Sequence, residues 1–124
     1  MFKILAIGLG GFIGAIMRYG ISGWVYEKVG ENFPHGTLVV NLVGSLILGF
    51  FMALSESRIQ INPVLKVSVT IGVLGALTTF STFSYETFSL LQMGQVQKAF
   101  INISVSVLLG LLAIWLGIIA AKFI

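Results

Sequence analysis

The residues best able to do chemistry in this chain are hydroxyls rather than charges. Thr78, Thr79, Ser81, Thr82, Ser84 and Thr87 put six hydroxyls into ten residues of a run otherwise apolar enough to cross a bilayer. A hydroxyl or peptide group without a partner costs roughly several kcal/mol in hydrocarbon, so the cluster calls for a bundle interior, a water-filled path or a bound ion. Glycines at 72 and 75 followed by successive threonines predict that the helix breaks near residues 75–80. A break bares backbone carbonyls, which are tolerated at membrane depth only against protein, water or an ion, and carbonyl oxygens suit a hard cation. Phe80 and Phe83 follow at a spacing that puts both rings on one helix face. Most membrane phenylalanines face lipid or core. A ring edge nevertheless carries positive partial charge and can face an anion without holding it as an ammonium would.

Other polar residues fall into stripes. Thr37, Asn41, Ser45 and Gly49 recur at every fourth position, as do Asn102, Ser106 and Gly110, continued by Ala113 and Gly117. Two readings of Asn41 are open: an interhelical hydrogen bond, worth about 0.6–2 kcal/mol, or a donor facing an anion path. The upper part of the later stripe either bonds Asn41 or lines a pore, and its lower part reads as packing. Gly10 and Gly14 form a small-xxx-small spacing, with Gly11 and Ala15 one position on, of the kind that lets helices approach closely in lipid. Arg18, in the second half of the first helix, would cost about 2.5–3.5 kcal/mol to bury, so it either snorkels to the interface or lines a vestibule that attracts anions. Glu86 lies near the interface or is buried with a partner, and in the second case it is functional by default.

These residues need helices to position them, and the composition supplies helices of one kind. The chain is 57% hydrophobic and 9% charged, against about 25% charged in a soluble globule. Uncharged runs cover residues 36–55, 67–85 and 99–121, each near the roughly 20 that span a bilayer. A fourth run, 4–17, resumes after Arg18. The expectation is an all-α membrane protein of one domain, residues 1–124, with four transmembrane helices at about 2–26, 36–55, 64–93 and 99–122. The glycines interleaved in the first run, with Arg18 directly after it, favour a retained helix over a signal peptide. Pro63 is expected to open the third helix at its first turn. The loop at 27–35 carries charges that nearly cancel and is assigned no chemistry.

Several functions are excluded by missing parts. The net charge of +3 comes from scattered single residues, so nucleic-acid binding is not indicated. There is no cysteine, no aspartate and one histidine, His35. Thiolate sites, metal-assisted hydrolysis and a Ser-His-Asp triad therefore lack their components, and an enzyme is not expected. With four helices, Lys3, Arg58, Lys66 and Lys122 share one side while Lys28 and Lys98 share the other. That is a weak positive-inside bias, compatible with insertion in both directions.

With these residues in hand, the chain resembles the fluoride channel family (Fluc/CrcB) over nearly its full length. The likeness rests on Gly11-Phe12-Ile13-Gly14-Ala15 leading to Arg18-Tyr19, on Gly36-Thr37-Leu38-Val39-Val40-Asn41, and above all on Thr78-Thr79-Phe80-Ser81-Thr82-Phe83. The resemblance implies a dual-topology homodimer of antiparallel subunits in the cell (inner) membrane. It also implies two pores lined by both subunits, passive export of fluoride, and a central structural sodium ion. The positions matching its sodium-binding carbonyls are Gly75 and Thr78. Phe80 and Phe83 match the aromatic edges of the fluoride path, Asn41 its polar donor, and Ser81, Thr82 and Ser106 its hydroxyls. Arg18 matches a basic residue of the first helix. Two positions depart from many relatives: Asn102 stands where a tyrosine is frequent, and Gly110 where a second serine is. Altered conductance is expected from these before lost selectivity. The main alternative is a proton-coupled exporter of the small four-helix multidrug type, in which Glu86 would have to replace the carboxylate such carriers hold early in their first helix. A non-transporting assembly subunit would leave the hydroxyl-rich third segment without a purpose.

Overall fold

The computed structural model describes residues 1–57 and 60–124, and among these every regular element is helical. The helices are α1 (Phe2–Val29), α2 (His35–Ser57), α3 (Pro63–Val67), a π-helical segment (Ser68–Val73), α4 (Leu74–Leu77), α5 (Phe80–Gln92) and α6 (Val96–Ala121). Four stretches are long and apolar enough to cross a membrane: Phe2–Val29, His35–Ser57, Pro63–Gln92 and Val96–Ala121. The first runs about a turn beyond the expected end at 26 and takes Glu27 and Lys28 into the helix. Arg58, counted in the charge bias, lies outside the described residues.

Local sequence explains where the helices start and stop. Gly30 ends α1 at φ 94°, and Gly94 turns the chain between α5 and α6 at φ 73°, both in the left-handed region that glycine enters without steric cost. Asn62 caps α3, its side-chain oxygen accepting the Val64 amide at 2.8 Å, and Pro63 occupies the first turn where no amide donor is needed.

Packing relies on small residues rather than on a large core. α1 lies against the π-helical segment and α4, and α2 lies along α6. A methyl group on Gly10 or Gly14 would collide with the backbone at Ser68 or Val73, and one on Gly49 or Gly117 with the backbone of Ile114 or Leu46. Contact of backbone on backbone is how helices gain dispersion energy in a solvent as apolar as their side chains. A methyl group on Gly11, in contrast, would meet nothing within 4 Å, so within this subunit the close approach depends on Gly10 and Gly14. Across the π-helical segment Ser68 Oγ donates to the Ala6 carbonyl at 2.8 Å, tying it to α1. The buried cluster of Val40, Leu74 and Leu77 sits where α2 meets α4. Large apolar side chains such as Phe12, Trp24, Phe100 and Trp115 point outward, as they do in a chain whose solvent is lipid.

Candidate functional site: a groove at the helix interruption

α4 ends at Leu77. Thr78 (φ −83°, ψ 156°) and Thr79 (φ −152°, ψ 119°) are extended, and α5 begins at Phe80. Asn41 on α2 holds these two residues in place. The Thr79 amide donates to Asn41 Oδ1 at 2.7 Å, and Asn41 Nδ2 donates to the Thr79 carbonyl at 3.1 Å. The paired bonds fix the carboxamide orientation and leave one Nδ2 hydrogen for another acceptor. Thr79 is also the N-cap of α5, its Oγ1 accepting the Thr82 amide at 3.1 Å.

These bonds have a consequence for the backbone. In a continuous helix the Thr79 amide would close on the Gly75 carbonyl and the Thr82 amide on the Thr78 carbonyl. Both amides are engaged elsewhere, on Asn41 Oδ1 and Thr79 Oγ1. The Gly75 and Thr78 carbonyls are thereby released from the ladder, and both residues line the same groove. Two freed oxygens of this kind fit a hard monovalent cation and fit no thiolate- or imidazole-loving metal. Among the described residues no cluster of side-chain metal ligands exists either.

The groove, about 330 Å³, runs between α2, α4, α5 and α6. Asn41, Phe80, Phe83 and Ser106 line it together with Gly75, Thr78 and Gly110, and no lining residue is charged. The Phe80 and Phe83 rings are 5.6 Å apart and inclined at 43°, and Phe80 is 79% exposed. Their neighbours are donors and acceptors without formal charge. Gly110 faces open space, so the absence of a side chain there widens the groove.

Not every residue singled out in the sequence lies in this groove. Thr82 and Arg18 share a second pocket with Ser22 and Thr37, and its lining holds one guanidinium and no carboxylate. Thr79 lines both pockets. Ser81 is exposed, with Oγ 3.3 Å from Thr79 Oγ1. Asn102 does not bond Asn41. It is 1% exposed and donates through Nδ2 to Thr87 Oγ1 at 2.9 Å. Glu86 is tied to two other helices, with Oε1 accepting from Thr37 Oγ1 at 2.8 Å and from the Tyr26 hydroxyl at 3.1 Å, while Oε2 is buried without a partner. Sequence reasoning passed over Thr79 as the cap, Thr87 as a link and Tyr26 as a partner of Glu86. For Thr79 a signal existed: a threonine three residues before Thr82, at the point where the apolar pattern stops, is an N-cap arrangement.

Known proteins resemble this chain over nearly its whole length. Residues 5–118 match the family model described as CrcB-like protein, Camphor Resistance (CrcB). A protein of Geotalea daltonii named fluoride-specific ion channel FluC is 48% identical over the whole of both chains. One of the same name from Geobacter metallireducens is 49% identical over 98% of each chain. One from Methanosarcina acetivorans, fluoride-specific ion channel FluC 1, is 50% identical over 98% of this chain and 92% of its own. These relatives are named as channels and not as enzymes.

Proposed function

The chain belongs to the CrcB family and is a multi-pass membrane protein, and from this we propose that it is a fluoride-selective channel that passively exports fluoride from the cell. The observation that carries the reading is the uncharged groove at the interruption between α4 and α5. Fluoride is small and tightly hydrated, and stripping its water costs roughly tens of kcal/mol in the idealised limit and several after relaxation. A lysine or arginine in the path would compensate that cost and trap the ion. Single weak donors let it move on, and conduction requires weak binding at several sites. The free Nδ2 hydrogen of Asn41, the edges of Phe80 and Phe83, and the Ser106 hydroxyl once its proton turns away from Asn102 are such donors. Thr82, and Ser81 through its contact with Thr79, would continue the path at the far side of the interruption, where Arg18 beside Thr82 would raise the local anion concentration.

One subunit does not close this path. The groove, at about 330 Å³, holds far more space than a bare halide fills, and Phe80 stands exposed at its edge, so a second surface would complete it. An antiparallel second copy supplies that surface twice, making two pores per homodimer in the cell membrane. Sodium fits the same arrangement: the released Gly75 and Thr78 carbonyls of each subunit would hold it at the interface, where its charge offsets carbonyl dipoles left without amide partners.

Purified protein in liposomes loaded with fluoride or with chloride tests the reading. Fast fluoride efflux with negligible chloride efflux is expected, and equal or absent efflux of both ions contradicts it. The buried, unpartnered Oε2 of Glu86 favours a second reading, a proton-coupled exporter. Glu86→Gln separates the two, since it abolishes transport by such an exporter and leaves channel flux in place.

A further inference from the structure

Ser106 reaches the groove from α6, and the direction of its hydroxyl proton can be derived from its neighbours. Thr87 has one hydroxyl hydrogen, which it donates to the Phe83 carbonyl at 2.7 Å. With that hydrogen engaged, Thr87 Oγ1 can only accept from Asn102, so the carboxamide must turn Nδ2 toward Thr87, at 2.9 Å. Oδ1 is then left facing Ser106, whose Oγ donates to it across 3.4 Å. All the protons in the chain point one way, from Ser106 through Asn102 and Thr87 to the carbonyl of the groove residue Phe83. Ser106 therefore shows lone pairs to the groove, the wrong polarity for an anion.

On the reading of this groove as a fluoride path, we infer that Asn102 is a positioning residue that sets how readily Ser106 serves the anion. The 3.4 Å bond is the longest of these three linked bonds and the first to yield. When fluoride arrives, Ser106 rotates its proton into the groove, and Asn102 Oδ1 is left without a partner at a site only 1% exposed. That penalty weakens binding at Ser106 on every passage and keeps the ion from resting there.

The test uses fluoride flux from liposomes as a function of fluoride concentration. Asn102→Leu removes the acceptor with little change of volume and frees the Ser106 proton. The fluoride concentration giving half-maximal flux then falls about three- to tenfold. Thr87→Val, at a residue that does not line the groove and meets Phe83 only at its backbone carbonyl, removes the link that orients the carboxamide and produces a shift in the same direction, so the test survives misfolding of either variant. In a Ser106→Ala background both shifts vanish. A wild-type protein that does not conduct fluoride overturns the channel reading itself. A conducting wild type whose half-maximal concentration is unmoved by both variants, or is moved equally with and without Ser106, overturns the role of Asn102 alone.

Discussion

At the scale of single residues, the proposed fluoride path offers polarity without charge, since no residue lining the groove is ionisable. Phe80→Ile keeps the bulk and removes the ring edge, so fluoride flux should fall by at least about tenfold while the protein remains folded; liposome efflux beside size-exclusion behaviour checks this. Asn41 carries two duties at once. Asn41→Asp removes the donor that faces both the Thr79 carbonyl and the groove and introduces a negative charge, so flux is lost. Asn41→Leu leaves the Thr79 amide and carbonyl both unpaired and costs about 1–3 kcal/mol of stability, read from thermal unfolding in detergent. Asn41 had two readings in the sequence, as interhelical bond or as donor. The structure makes the first directly and leaves one hydrogen over for the second. Spacing alone did not separate them, because a carboxamide has more hydrogens than either role needs. Glu86 was legible as an oddity, but its partners Tyr26 and Thr37 come from two other helices and no local pattern names them.

At the scale of elements, the glycines divide into two kinds. Gly49 and Gly117 let α2 and α6 touch backbone to backbone. Replacing either by leucine should force the pair apart and cost about 1–3 kcal/mol, visible as lowered resistance to denaturing detergent. Gly110 sits on α6 as well, yet nothing lies within 4 Å of it. Gly110→Leu should leave stability unchanged and obstruct the groove, so flux falls without loss of folded protein. The four spans were legible from composition and run length, since a bilayer demands little beyond about 20 apolar residues. The π-helical turn at Ser68–Val73 was not. It depends on the fit of that segment against Gly10 and Gly14, a tertiary contact with no periodic signature.

At the scale of the whole molecule, the proposed channel is two copies in opposite directions across one membrane. The basic residues give too little bias to fix one orientation, and a partner would cover the exposed Phe80 at the groove's edge. The chain has no cysteine, so one can be introduced without interference. Gln97→Cys, at an exposed position near the start of α6, should react with an impermeant maleimide from outside intact vesicles to about half its total, with the rest reacting only after lysis. Labelling confined to one side contradicts dual topology. Which second surface would close the groove was invisible in the composition and spacing of one chain, because the proposed contact between copies would leave only exposed apolar faces that lipid would also satisfy. The central claim is that fluoride crosses alone, down its own gradient. It is tested most directly by the reversal potential of currents through purified protein in a planar bilayer, with a fluoride gradient, symmetrical chloride and an independently varied pH. The account predicts a reversal potential that follows the fluoride gradient and ignores the other two. One that moves with chloride, or with the proton gradient, contradicts it.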